Sequence, residues 1–327
     1  QQDWYRGTAD ALYQNRGFIQ DANSDTLLIL SGDHIYKQDY RDLLRFHQSK
    51  NADLTVAVMN VSPEEVSRFG IMSVDSTQKI TKFAEKPRKS DSTLASMGIY
   101  VFNTQFLLEQ LDYDAVQPDS SHDFGKNIIP RIVEMGRAYA YPFVGYWVDV
   151  GTIQAYWETS MALLEEAPAL DLYTSDWVIH TRSEERPPVK IMPSSSLEQS
   201  MVSNGCIISG TVMNSVLSPG VIVEKGAVVR NSVMMNDTSN RSGAVVNNCG
   251  LDKRIEVGPG AQLGHGKESI PNKLEPDNLQ TGITIVGKSA VSPAKAVIGK
   301  NCRIDPDTKP ADYAALEVPS GESILQK

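Results

Sequence analysis

The sequence predicts an α/β domain followed by a parallel β-helix. Three observations carry this reading. Strand-like and helix-like segments alternate from residue 1 to about 172. The helical period disappears near Val189, and from there short aliphatic segments recur every six residues between Gly, Asn and Ser.

"TADALYQNRGFI" puts Ala9, Leu12, Tyr13 and Ile19 on one helical face. "TLLIL", Thr26 to Leu30, reads as a short strand buried on both sides; Ser31-Gly32 then allow a tight turn, and Asp33 follows. "YKQDYRDLLRFHQ" returns to helical spacing through Tyr36, Tyr40, Leu43, Leu44 and His47. "ADLTVAVMNV" is again a strand, and "IQAYWETSMALL" again a helix, with Ile153, Tyr156, Trp157 and Leu164 in register. This alternation predicts a mainly parallel sheet covered by helices on both faces. Residues 173–188 close in Pro187-Pro188, which block a helix, and read as an interdomain connection. The expected division is 1–172, 173–188 and 189–327.

In the last part, Val216, Ile222, Val228 and Met234 lie six apart, as do Ala290, Ala296 and Cys302. Val257 is followed six residues later by Leu263. Each hexad is expected to form one flat side of a triangular left-handed coil, with Val216, Ile222, Val228, Ala290, Ala296 and Cys302 inside. The near-identical "VGKSAV" and "IGKNCR" start twelve residues apart, which favours a solenoid over a Gly-rich sandwich. "HGKESIPNKLEPDNLQ", His265 to Gln280, fits no hexad and is expected to loop out of one coil.

Composition narrows the function. The chain has 327 residues and a net charge of −9 without a long Lys/Arg cluster, which argues against nucleic-acid binding. Its three cysteines form no CxxC pair and point to reduced thiols in a cytoplasm. No apolar run reaches membrane-spanning length. The opening "QQDWYRGTADAL" has no Met, and a truncated N-terminus is expected. No His/Cys set has zinc spacing and no G-x-S-x-G elbow is present.

Ligands of open α/β sheets bind beyond the strand ends. Asp33 and Asp149 both follow apolar segments and together could hold one Mg²⁺, which takes one or two carboxylates plus water and phosphate oxygens. Equally, each could cap the helix after it. In "FAEKPRKS", Lys86 beside Glu85 could serve a sugar phosphate, ammonium to phosphate and carboxylate to hydroxyls, or be a solvated strand end. Pro87 is expected to hold Lys86 extended.

"WYRGTADAL", "LSGDHIYKQDY", "FAEKP", "ASMGIYVFN", "SSHDFGKNIIP" and "YWVDVGTIQAYWE" stand here in the order found in bacterial ADP-glucose pyrophosphorylases, the glucose-1-phosphate adenylyltransferases, which this chain resembles. The resemblance implies a Rossmann-like nucleotidyltransferase domain joined to a left-handed β-helix. It implies that ATP and α-D-glucose 1-phosphate give ADP-glucose and pyrophosphate, for glycogen or starch synthesis. Carried over by position, Asp33 and Asp149 would hold Mg²⁺, and Lys86 would bind the substrate phosphate. Glu85 would bind glucose hydroxyls. Tyr5, Gly70 and Ser96 match positions that contact glucose 1-phosphate; Asp123, Phe124 and Trp147 would line the sugar pocket. Gly7 and Thr8 would lie near the nucleotide base. A homotetramer and an allosteric small-molecule effector are also implied.

The family's Gly-rich loop GGxGxRLxPLT, which cradles the ATP phosphates, has no counterpart in these residues. The chain taken alone is therefore expected to be inactive. The competing readings are a non-catalytic regulatory or scaffolding subunit of the same family, and a hexapeptide-repeat acyltransferase using His265.

Overall fold

The computed structural model describes residues 4–182 and 184–327; Ser183, in the expected connection, lies outside the described residues. Contacts divide the chain into two compact units, Gln1–Trp147 and Val148–Lys327. The division falls earlier than residue 172, because the helix Ile153–Ala162 belongs with the solenoid: Trp157 Nε1–H donates to Asn231 O at 2.9 Å.

The first unit is built on a six-stranded sheet. Its path runs Ile80–Glu85, Gly70–Val74, Leu94–Asn103, Leu54–Asn60, Ala138–Pro142, and Thr26–Ile29 pairs with the far end of Leu94–Asn103. The sheet is mixed, which corrects the expected parallel arrangement. Among the described ladders only Leu54–Asn60 with Ala138–Pro142 is parallel; the other four are antiparallel. The reason is local. Gly70–Val74 turns straight back into Ile80–Glu85 as a hairpin, where Asp75 Oδ1 accepts the N–H groups of Thr77 at 2.8 Å and Lys79 at 3.1 Å. No helix intervenes before Leu94–Asn103 either, so no crossover sets these strands parallel.

Helices cover both faces of the sheet. One face buries Leu54, Val56, Val58 and Phe102 against Leu107 and Leu111 of Thr104–Ala115 and Ile129 and Ile132 of Ile129–Met135. The other buries Ala57, Met97, Ile99 and Val101 against Leu43 of Tyr40–Ser49. Thr26–Ile29 is half-buried rather than buried on both sides, and Leu30 is 44% exposed, because this strand pairs along one edge only. Gly98, at φ +67°, interrupts Leu94–Asn103, and the register with Leu54–Asn60 shifts between Val56 and Val58.

In the second unit, short parallel strands stack into three sheets, the left-handed β-helix predicted by the hexads. Val212, Val229, Val246 and Leu263 follow one another down one side at a spacing of 17 residues. Asn214, Asn231 and Asn248 turn successive corners at φ +43°, +46° and +55°. Asn214 Nδ2–H donates to Asn231 Oδ1 at 2.8 Å, so the corners are themselves laddered.

The hexads are right but their phase is partly not. Ala290, Ala296 and Cys302 are fully buried inside, as expected. Val216, Ile222 and Val228 are not interior; their neighbours Leu217, Val223 and Val229 are. Each hexad has two inward positions two residues apart, as in Val221/Val223, Ala227/Val229, Ala296/Ile298 and Cys302/Ile304. The outward residue between them is also aliphatic in "GVIV" and "GAVV", so a period of six cannot choose between them.

The segment 265–280 carries no strand, as expected, yet it is anchored. Asn272 is fully buried, and its Nδ2 donates to Asn301 O at 2.9 Å and Glu322 O at 3.1 Å.

Cys206, Cys249 and Cys302 are all buried, and burial pushes the thiols up, that of Cys249 to about 12. In the native protein a colourimetric thiol reagent should therefore titrate none of them within minutes, and all three on unfolding. Rapid reaction of Cys302 in the native state would contradict its interior position.

Candidate active site

The strand Ile80–Glu85 ends on Glu85, which pairs with Gly70 in the hairpin register. A Cβ on Gly70 would lie 2.5 Å from Phe83 Cζ and 2.9 Å from Glu85 Oε2. A Cβ on Gly125 would likewise lie 2.6 Å from Glu85 Cδ. Two glycines thus leave the space that this carboxylate fills. Burial raises the Glu85 pKa; Lys86 and Lys126 oppose that shift and Asp123 adds to it.

Lys86 is not extended. Its φ is +48°, which corrects the expectation drawn from Pro87. Its N–H donates to Phe69 O at 3.0 Å, which continues the hairpin ladder one step past Glu85 before the chain must swing away. A non-glycine residue in this region costs roughly 1–3 kcal/mol, a strain that recurs at functional sites. The Lys86 side chain is exposed at the rim of the Glu85 cradle.

Asp123 caps the one-turn π-helix Phe124–Ile128, accepting from Lys126 N at 3.0 Å. Thr8 joins the same cluster: its hydroxyl donates to Asp123 Oδ2 at 3.1 Å and accepts from Phe124 N at 2.9 Å. Gly7 is needed for this approach, since a Cβ there would sit 2.5 Å from Ser121 O. Phe124 is buried and stacks on Tyr100, with centroids 5.9 Å apart and planes 15° apart. Tyr100 hydrogen-bonds Ser96 Oγ at 3.3 Å, and Ser96 Oγ accepts from Gly98 N at 3.2 Å. Withdrawal from water pushes the Tyr100 phenol up to about 12; Glu85 and Asp123 add to the shift and Ser96 opposes it.

The structure therefore gathers Gly7, Thr8, Gly70, Glu85, Lys86, Ser96, Asp123 and Phe124 around one cradle. Tyr5 stands apart from it among the described contacts: it is 55% exposed, and its phenol oxygen accepts from Asn15 Nδ2 at 3.0 Å. Sequence reasoning missed Tyr100 and Gly125. The signal for Tyr100 was its spacing of four from Ser96 around a strand bulge, which looks like no regular element. Gly125 carried none without the fold. Gly125→Ala should raise KM for the cradle's ligand about tenfold with little loss of thermal stability, because only the Glu85 side chain must move. An unchanged KM would show that the carboxylate is not engaged.

Asp33 does not cap a helix. It precedes the strand His34–Tyr36, and the helix Tyr40–Ser49 is capped by Asp39, which accepts from Arg41 N at 3.0 Å. Its side chain is 62% exposed, and Oδ1 lies 3.6 Å from His34 Nε2. Trp147 packs edge-on to His34 with centroids 5.1 Å apart, and against Phe69 at 5.5 Å. Among the described residues its buried Nε1–H has no hydrogen-bond partner. In the second unit, Asp149 is not a helix cap either. Thr152 caps Ile153–Ala162, and Asp149 Oδ1 accepts from Gly151 N at 2.7 Å. Asp149 lies two residues beyond Trp147 in the strand Trp147–Asp149. His265, the histidine of the acyltransferase reading, is exposed where the loop leaves the solenoid. Among the described residues no helix is long and apolar enough to cross a membrane.

A nucleotidyl transferase family model matches residues 1–166, and a GlmU-like C-terminal hexapeptide model matches residues 187–286. The chain is 44% identical over 325 residues to the glucose-1-phosphate adenylyltransferase of Acetivibrio thermocellus, covering 99% of this chain and 76% of that protein. It is 48% identical over 322 residues to that of Thermomicrobium roseum, covering 98% and 75%. To that of Thermotoga maritima it is 42% identical over 325 residues, covering 99% and 77%.

Proposed function

Since the chain belongs to the glucose-1-phosphate adenylyltransferase family, we propose that it transfers the adenylyl group of ATP to α-D-glucose 1-phosphate, giving ADP-glucose and pyrophosphate. The observation that carries this reading is the Glu85 carboxylate held between Gly70 and Gly125, with strained Lys86 at its rim. A phosphorylated hexose needs that pairing. The carboxylate accepts from ring hydroxyls, and the ammonium meets the phosphate. Ser96, Tyr100, Asp123 and Phe124 supply hydroxyl partners and an aromatic wall. Thr8 ties this wall to the helix Thr8–Gln14, and Gly7 and Thr8 are the proposed neighbours of the nucleotide base.

In the reaction, a phosphate oxygen of glucose 1-phosphate forms the new bond to the α-phosphorus of ATP. The bond from that phosphorus to the bridging oxygen breaks, and pyrophosphate leaves with the electron pair. The nucleophile is already ionised, so no side chain must take a proton. Lys86 fixes its phosphate for in-line approach.

Asp33 and Asp149 are the proposed Mg²⁺ ligands. What supports them is that neither caps a helix, that Asp33 is exposed beside a ring nitrogen, and that Asp149 lies two residues from Trp147. Hard oxygen donors suit this ion. The chemistry a bound Mg²⁺ supplies is neutralisation of charge on the triphosphate and departing pyrophosphate. Trp147 is proposed to line the sugar pocket. A cytoplasmic homotetramer answering to a small-molecule effector and serving glycogen synthesis is the proposed setting.

The test is ADP-glucose formation by the complete protein from ATP, glucose 1-phosphate and Mg²⁺. Product is expected with glucose 1-phosphate and none with glucose 6-phosphate. Turnover of another nucleotide in place of ATP would overturn the adenylyl assignment.

A further inference from the structure

His34 is held in one tautomer. Its Nδ1 lies 2.8 Å from Met97 O, and a carbonyl only accepts, so Nδ1 carries the proton. That leaves Nε2 as the ring atom free to bind a ligand. That nitrogen faces Asp33 Oδ1 at 3.6 Å, longer than a hydrogen bond and leaving room between the two atoms. A cation held between the two atoms would be bound by both. Two donor atoms on one octahedral ion, with bonds of about 2.1–2.2 Å, lie about 3 Å apart when cis and just over 4 Å when trans. The observed 3.6 Å is somewhat longer than the cis value, a gap that a small turn of the exposed Asp33 carboxylate would close.

The ring is also locked from outside. Trp147 packs on it edge-on, and a Cβ at Gly98 would come within 2.9 Å of His34 Cε1, so only glycine leaves the imidazole its place. A carbonyl orienting a ring nitrogen is the outer-shell arrangement that metal-binding histidines use.

We propose that His34 Nε2 is a nitrogen ligand to the cation held by Asp33, making the centre a mixed carboxylate–imidazole site. The proposal rests on the metal role of Asp33 given above. A nitrogen donor shifts preference toward borderline ions, so the site should take Mn²⁺ or Co²⁺ more tightly than Mg²⁺.

The test uses Mn²⁺ with pyrophosphate, which contains no nitrogen, on the complete protein, read by pulsed electron paramagnetic resonance. The wild-type protein should show ¹⁴N hyperfine modulation from a directly bound nitrogen. His34→Gln should lose that modulation and bind Mn²⁺ about tenfold or more weakly. Mn²⁺ binding that depends on Asp33 but carries no nitrogen modulation in the wild type would overturn the proposal and leave the Asp33 reading intact. Mn²⁺ binding untouched by Asp33→Asn would remove both. The wild-type spectrum decides the first case without any variant having to fold.

Discussion

Asp33→Asn is expected to leave the protein folded and to lower kcat about a hundredfold or more, the scale of several kcal/mol for metal-borne charge stabilisation. The substitution keeps the size and shape of the side chain and removes its charge. A capping aspartate would tolerate it, since Asn caps nearly as well. Asp33 caps nothing: the helix after it is served by Asp39, and Asp33 itself stands largely in solvent before a strand. The His34 ring nitrogen lies 3.6 Å from its carboxylate, beyond hydrogen-bond length. Among the described residues no helix cap is at stake, and a thermal melt should move little. Steady-state kinetics at saturating Mg²⁺, alongside that melt, check both halves. A kcat within about threefold of wild type would remove Asp33 from the machinery.

Lys86→Ala should raise KM for glucose 1-phosphate ten- to a hundredfold while KM for ATP changes little. One charge-assisted phosphate contact is worth roughly 1.5–3 kcal/mol, which sets that range. The left-handed backbone adds an independent handle. Alanine at φ +48° keeps the strain of the native residue, whereas glycine relieves it. Lys86→Gly should therefore melt higher than Lys86→Ala, by a difference on the order of 1 kcal/mol, and bind the sugar phosphate just as poorly. Equal effects on both substrates would contradict the assignment. Identical melts of the two variants would contradict the strained geometry.

What the sequence could and could not show divides along physical lines. The six-residue step of the solenoid was legible because every coil repeats the same burial demand. Its phase was not, because Val216, Ile222 and Val228 are as aliphatic as the inward residues beside them. Alternation of strands and helices was legible, and both faces of the first sheet are indeed covered. Strand direction was not, since it depends on the hairpin closed by Asp75, a turn that hydrophobic periodicity does not register. At the site, Asp33 and Asp149 could be singled out as carboxylates after apolar runs, yet capping and ligation predict the same residue there. The caps at Asp39 and Thr152 remove the capping alternative and leave ligation as the proposal. Lys86 was singled out by its neighbours in sequence and misjudged in conformation. The general bias of a residue before proline lost to the demand that the chain leave the hairpin sharply. Gly125 had no sequence signal because its use is defined by a side chain forty residues away in the chain.

Asn272 gives the end of the solenoid an unusual mechanical character. A stack of coils in which each touches only its neighbours frays from its free end, one coil at a time. Here one buried amide reaches across two successive rungs: Nδ2 holds Asn301 O and Glu322 O, while Oδ1 accepts from Leu274 N and Glu275 N, each at 3.0 Å. Loop and last two rungs are riveted together. Peeling away the final rung would strand a fully buried amide and release the whole 265–280 excursion with it. Under load from the C-terminus, the chain would give way there as a block rather than strand by strand.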